Sequence, residues 1–241
     1  MAKTVSIANF KGGVGKTTSA VNIGAALSSM GLNVLLVDMD AQFNLTQTLG
    51  ASNERGTVYN VLRGEAPEVV EIYEGLSVLP SSLELIKAEI ELAGEFRREE
   101  VLYKALQPLY SRYDWVIFDC PPSLGLLTLN AFVASDRIIV PIEAEYLALT
   151  GYAILSEALS KVGMEIDAVF ITKYDARKIL NRNVLEGIKS ALGGKALETV
   201  IRENVALAEA PARYLDIFRY SPKSTGAEDY LSLTKELLKL F

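Results

Sequence analysis

Short apolar runs recur along the chain, each followed by a polar or glycine-containing turn and then a stretch of helical character. Val5-Ser6-Ile7-Ala8 predicts a first strand, and residues 16–29, rich in small residues and stopped at Gly31, predict a helix. Val34-Leu35-Leu36-Val37 predicts a second strand ending at Asp38. Leu76-Ser77-Val78-Leu79, closed by Pro80, predicts a third. Residues 83–106 predict helix in two segments meeting near Gly94. Trp115-Val116-Ile117-Phe118, closed by Asp119 and the Pro121-Pro122 pair, predicts a fourth strand. Ile138–Val140, Ala168–Ile171 and Leu197–Ile201 complete a set of seven. The runs are nearly continuous rather than alternating, as in parallel strands buried on both faces. The expected fold class is α/β: a doubly wound, mostly parallel sheet with helices on both faces. No Pro/Gly/Ser-rich linker and no internal repeat divides the chain, so residues 1–241 are expected to be one domain. Ligands bind such sheets at the carboxyl ends of the strands. The loops after Ala8, Val37, Phe118, Val140, Ile171 and Ile201 are therefore where chemistry is expected.

Composition narrows that chemistry. Half of the 241 residues are hydrophobic and 22% are charged, which is globular rather than disordered. No apolar run reaches the roughly 18 residues of a membrane span, and MAKTVSIANFKGG has no signal-peptide pattern. A cytoplasmic location without a membrane partner is the expectation. Histidine is absent, which excludes Ser-His-Asp and Cys-His catalysis and most zinc sites. The one cysteine, Cys120, allows neither an intrachain disulfide nor a CxxC site. Chemistry is left to carboxylates, lysines, hydroxyls, backbone N–H groups and Mg²⁺. The net charge of −6 argues against a generally basic nucleic-acid coat. Yet the stretch from Lys173 to Lys223 holds ten basic and six acidic residues, so a local positive face stands beside the plainer reading of mixed solvated charge.

The loop after the first strand reads Lys11-Gly12-Gly13-Val14-Gly15-Lys16-Thr17-Thr18 and opens the first helix. Phosphate binding needs several backbone N–H groups converging on one anion, and glycines permit the turns and close approach this requires. The helix start adds partial positive charge. Lys16 stands where a lysine reaches the β- and γ-phosphates, and Thr17 where a hydroxyl ligates Mg²⁺. The plain phosphate-loop pattern wants glycine five residues before Gly15, where this chain has Phe10. Lys11 supplies a second cation outside the tight cradle, either one that reaches phosphates on a facing subunit and lowers the barrier to phosphoryl transfer or a solvated loop lysine. Two further loops carry aspartates at strand ends: Asp38-Met39-Asp40 after the second strand and Asp119 after the fourth. Asp119 fits the role of holding Mg²⁺ through water, Asp40 that of orienting the attacking water, and Asp38 the metal's outer surroundings. Helix caps and turns are the alternative use of each.

Taken together, these segments resemble the ParA/Soj branch of the ParA/MinD ATPases, the family with a deviant Walker A motif. The resemblance runs almost end to end: Ala8-Asn9-Phe10 leading into KGGVGKTT, DMDAQFN at 38–44, FDCPPSLGLLTLNAFVASD at 118–136, ITKYDAR at 171–177, ENVALAEAP at 203–211 and SPKSTGAEDY at 221–230. It implies a P-loop domain that binds ATP and Mg²⁺ and closes into a homodimer with the nucleotides sandwiched. The dimer is expected to bind DNA non-specifically, and a ParB-like centromere-binding protein is expected to stimulate slow hydrolysis that releases it. The resemblance implies that Lys11 is the signature lysine crossing to the other subunit, and that Gly12 stays small because the partner approaches there. Lys16, Thr17 and Thr18 match phosphate and Mg²⁺ positions, Asp40 the water-positioning residue, and Asn204 an adenine contact. Arg202 stands where members often have a proline lining the base. Departures from the family pattern are Phe10, Ala41, Arg202-Glu203 and Ala206. The last two positions remove basic residues, leaving Arg182, Lys189, Lys195, Arg213, Arg219 and Lys223 as candidates for DNA contact.

Two other classes compete. A MinD-type membrane-cycling ATPase needs an amphipathic basic tail. Leu231–Phe241 is apolar enough for that, but it also reads as a last helix packed on the sheet. A metabolic P-loop enzyme would need a substrate pocket that the sequence does not reveal, and an iron–sulfur carrier would need more cysteine.

Overall fold

Strand β1 (Lys3–Ile7) lies in the middle of one sheet, between the strand that delivers Asp119 and the strand that follows it in the chain. The computed structural model describes residues 2–241. From the N-terminus, β1 leads through the glycine loop to α1 (Lys16–Ser29), then β2 (Val34–Asp38), α2 (Asn44–Thr48) and α3 (Val58–Leu62). A hairpin of β3 (Val70–Tyr73) and β4 (Leu76–Leu79) follows, then α4 (Leu85–Glu91), α5 (Val101–Leu106) and β5 (Trp115–Asp119). The second half alternates α6 (Leu126–Val133), β6 (Arg137–Glu143), α7 (Ala148–Ser160), β7 (Ala168–Tyr174), α8 (Ile179–Leu192) and β8 (Ala196–Arg202). Three helices close the chain: α9 (Val205–Glu209), α10 (Ile217–Tyr220) and α11 (Thr225–Leu240).

The sheet order is β3-β4-β2-β5-β1-β6-β7-β8, parallel throughout except for the antiparallel β3. The expected doubly wound α/β class is the observed one. Helices α3 to α8 bury apolar residues on one face, and α1, α2, α9, α10 and α11 cover the other. The reading of residues 16–29 as helix matches α1 at both ends. Its small residues let it lie close to β2: a Cβ added at Gly24 would sit 2.7 Å from Leu36 Cδ2. Strand β3 was not expected. Val-Glu-Ile-Tyr is short and half-exposed on the sheet edge, so burial leaves little pattern in it. The expected helix over 83–106 is α4 and α5, separated by short 3-10 turns and by Arg97 at φ 54.

The apolar C-terminal segment is packed. In α11, Ala227, Tyr230, Leu233 and Leu237 are buried, and the Tyr230 hydroxyl pairs with that of Ser19 in α1 at 3.0 Å. The apolar stripe of Leu231–Phe241 is thus largely spent on the core. Among the described residues no helix is long and apolar enough to cross a membrane.

Candidate functional site

Main-chain geometry builds the loop between β1 and α1. Gly13 (φ 75) and Gly15 (φ 91) occupy the left-handed region, which glycine enters without steric cost. No side chain caps α1. The N–H groups from Gly12 through Thr18 find no acceptor among the described residues. A helix start with unclaimed donors is an anion site. The loop is held from behind: Thr172 Oγ1 on β7 donates to the Val14 carbonyl at 2.8 Å. Asn9 Nδ2 donates to the Pro141 carbonyl at 2.8 Å, while its Oδ1 accepts from the Lys11 N–H at 3.0 Å. Lys16 is 7% exposed, and its ammonium donates to the Lys11 carbonyl at 3.2 Å. Burial lowers its pKa, with Asp119 acting the other way. One neutral acceptor leaves this buried cation short of partners, and a phosphate would supply both charge and acceptors.

The carboxylates follow from strand register. Asp38 and Asp119 are Cα partners at the ends of β2 and β5, and both are fully buried. Asp38 is satisfied: Oδ2 accepts from the Thr46 N–H at 2.9 Å and the Thr46 hydroxyl at 2.7 Å, and Oδ1 accepts from the Asp40 N–H at 3.2 Å. Its pKa is nevertheless pushed up to about 6, chiefly by burial. Whatever Asp38 adds around a metal, it also ties α2 and the Asp40 turn to the sheet. Asp119 is the reverse case. Neither of its oxygens has a hydrogen-bond partner among the described residues. Burial, then the nearby Asp38, raise its pKa well above the carboxylate range, while Thr17 and Lys16 pull it down. Buried oxygens of this kind require a partner. Thr17 and Asp119 together fit Mg²⁺, which takes one or two protein groups and fills the rest of its shell with water and substrate phosphate. Asp40 Oδ1 accepts from the Gln42 N–H at 2.9 Å, leaving Oδ2 without a protein donor.

A cleft of about 840 Å³ runs over these groups, within the range of small-ligand sites. Its lining includes the glycine loop, Asp40, Pro122, Glu143, Thr172 and the segment from Ile201 to Val205. Every strand-end loop singled out in the sequence therefore contributes to one cavity. Lys11, next to the cleft-lining Gly12, reaches its own chain, bonding Glu143 Oε2 at 3.0 Å and Glu145 Oε1 at 2.6 Å. Burial is the largest single influence and works against its charge, but Glu145 and Glu143 together outweigh it and raise the pKa. At the far end, Asn204 caps α9, accepting from the Ala206 N–H at 2.9 Å and donating to Thr225 Oγ1 at 2.6 Å. Arg202 lines the cleft, but its guanidinium is bound to Asp229 at 2.6 Å and to Glu228 at 3.1 Å. That side chain is tied to α11 while the residue itself stays in the cleft lining.

Sequence reasoning missed Thr46, Thr172, Glu143 and Glu145, which orient the residues it did name. Thr46 lies in α2, Thr172 within β7, Glu143 at the end of β6 and Glu145 just after it, and no motif in the sequence marks them. Cys120, also at a strand end, is buried, and burial pushes its thiol pKa up. The six basic candidates are not gathered together. Arg182 and Lys189 are on α8, with Lys195 in the turn after it, whereas Arg213, Arg219 and Lys223 lie near α10 on the opposite face. Lys189 pairs with Glu198, Lys195 with Glu165 at 3.2 Å and Arg219 with Asp216 at 3.0 Å. The Arg182 guanidinium donates to the Ala176 carbonyl at 2.6 Å. Arg213 and Lys223 form no ion pair among the described residues.

Known proteins are similar to this chain in sequence and fold. A family model described as an AAA domain matches residues 2–189. The sporulation initiation inhibitor protein Soj of Bacillus subtilis is 43% identical, over 98% of each chain. The chromosome partitioning protein ParA of Myxococcus xanthus is 38% identical, over 99% of this chain and 89% of that one. Among solved structures, cobyrinic acid a,c-diamide synthase of Mycobacterium smegmatis with bound ADP and magnesium matches at TM-score 0.86 and 34% identity, over 99% and 95% of the two chains. The cell division ATPase MinD of Pyrococcus furiosus matches at TM-score 0.82 and 27% identity, over 100% of both. With the glycine loop, the strand-end aspartates and full-length similarity in agreement, the chain belongs to the ParA/Soj branch of the ParA/MinD family of P-loop ATPases.

Proposed function

We propose that this chain is a DNA-partitioning ATPase. The carrying observation is that unclaimed amides from Gly12 to Thr18 and an under-partnered Lys16 line one cleft, with the unsatisfied Asp119 carboxylate buried beside Lys16 at the end of β5. The amides and Lys16 grip the triphosphate tail. Thr17 and Asp119 hold Mg²⁺, which, when bound, neutralises charge on the phosphate oxygens. Asp40 orients a water that attacks the γ-phosphorus, the bond to the bridging oxygen breaks, and ADP and phosphate leave. Asn204 contacts the base at the far end of the cleft.

Lys11 completes the site of a second copy, so that ATP drives a homodimer with the nucleotides between subunits. Gly12 supports this reading. A Cβ there meets nothing within 4 Å in its own chain and its φ lies outside the left-handed region, so no intrachain contact demands glycine. The ATP-bound dimer binds duplex DNA through phosphate contacts, and a ParB-like partner stimulates otherwise slow turnover. The curated relatives named for chromosome partitioning favour this role over others housed by the same fold. Packing of α11 into the core counts against a MinD-type membrane tail. Arg213 and Lys223, free of ion pairs, are the first candidates for DNA contact.

Salt-titrated binding to random-sequence duplex DNA with ATP, ADP or no nucleotide tests the proposal. Binding that needs ATP and falls steeply with salt is expected. Equal binding in all three states, or none, would overturn it.

A further inference from the structure

The β6–α7 turn presents two carboxylates to one lysine. Glu143 ends β6, and the turn is braced by main-chain bonds from the Ala144 N–H to the Thr172 carbonyl at 3.2 Å and from the Glu145 N–H to the Glu143 carbonyl at 2.8 Å. Both carboxylates meet the Lys11 ammonium. On the other side of Glu143 stands Lys173, with Nζ 3.4 Å from Oε1. Lys173 is one of the few non-glycine residues at positive φ (52), a conformation that persists only where the surroundings enforce it.

We infer that Glu143 and Glu145 are positioning residues forming an intrachain latch, which holds Lys11 on its own chain until a triphosphate draws it away. Glu143 lines the cleft, so polyphosphate bound to the loop amides repels Glu143 and attracts Lys11. Lys173 remains beside Glu143 and keeps it paired when Lys11 leaves, which lowers the cost of the exchange. The ion pairs are partly exposed, with Lys11 at 45%, Glu143 at 25% and Glu145 at 39%. Such pairs are worth only a few-fold each, which suits a latch that nucleotide must open. The consequence for assembly rests on the proposed two-chain site: a latched Lys11 is unavailable to a partner, so the nucleotide-free chain is held back from dimerising.

The test uses the full chain and reads the latch separately from assembly. Lys11 acylation by limiting N-hydroxysuccinimide ester is followed by mass spectrometry in nucleotide-free protein. Self-association with AMPPNP and Mg²⁺ is followed by sedimentation. In Glu143→Gln/Glu145→Gln, Lys11 acylation is expected to rise at least about threefold and the association midpoint to fall by a similar factor. Glu145→Asp should restore most of the wild-type behaviour. If the double variant folds poorly, Glu145→Gln alone is measured, since that residue is on the surface. An unchanged acylation rate overturns the latch. So does an unmoved association midpoint where the wild type associates. Faster acylation with no nucleotide-dependent association in any variant leaves the latch standing and sinks the two-chain reading instead.

Discussion

Lys16 and Asp40 line one cleft and Asp119 is buried beside Lys16, but the three differ in what the folded chain already supplies to each. Lys16 has a single carbonyl partner, so Lys16→Ala should weaken nucleotide binding by at least about a hundredfold, as removal of a charged phosphate contact does. Titration with a fluorescent ATP analogue checks this. Asp40 sits at the cleft with one oxygen uncommitted. Asp40→Ala should still bind nucleotide and still assemble, while steady-state turnover drops about a hundredfold or more. Normal turnover would remove Asp40 from the water-positioning role. Asp119 is a cost to the nucleotide-free chain, being a buried carboxylate with no donor beside another carboxylate. Asp119→Asn should therefore stabilise that state by about 1 kcal/mol while abolishing Mg²⁺-dependent tightening of ATP binding. Calorimetry with and without Mg²⁺ reads both. At this scale the named residues were legible because each belongs to a spacing with a chemical purpose. Their partners Thr46, Thr172, Glu143 and Glu145 were not, because a partner across 8 or 158 positions leaves no mark on local pattern.

Between residues and molecule stands the segment from β2 to α2. Thr46 gives Asp38 two bonds and receives a third from the Ser81 N–H at 2.9 Å, linking β2, α2 and the end of β4. Thr46→Val keeps the shape but leaves the buried Asp38 and Ser81 groups short of a partner. It should lower unfolding stability by about 2 kcal/mol. Because the Asp40 turn hangs from the same carboxylate, the variant should also lose turnover beyond what its folded fraction explains. Denaturant titration and activity at matched folded fraction separate the two effects. Elements buried on both faces were legible as continuous apolar runs, and α1 was legible from small residues ended by glycine. Strand β3 was not, since an edge strand half in water needs no apolar continuity and takes its structure from pairing with β4. Conversely, the break in the 83–106 helix is marked in the sequence by Gly94, which fails to carry regular helix onward.

For the whole molecule, the question is what one chain leaves unfinished. Gly12 has room for a side chain, and Lys11 is held in cis. Gly12→Val should therefore fold and bind nucleotide like the wild type, but fail to self-associate with AMPPNP and Mg²⁺. Association at wild-type concentration would show that no partner backbone passes there. The basic residues also take their meaning only at this scale. A contiguous stretch from Lys173 to Lys223 looks like one positive face along the chain. The fold places its residues on opposite sides of the sheet and pairs several with acids.

Local physics determined much of this protein from sequence alone. Continuous β-branched runs demand burial between helices, a glycine ends the first helix, and a glycine-rich loop opening that helix offers backbone amides to an anion. The tertiary structure decided the rest, since it depends on which distant groups become neighbours. It joined Asp38 to Thr46, left Asp119 without a donor, committed Arg202 to Asp229 and gave Lys11 two carboxylates. Hydrogen bonds and charges act over a few ångströms in space, and only the folded chain says which residues those few ångströms contain.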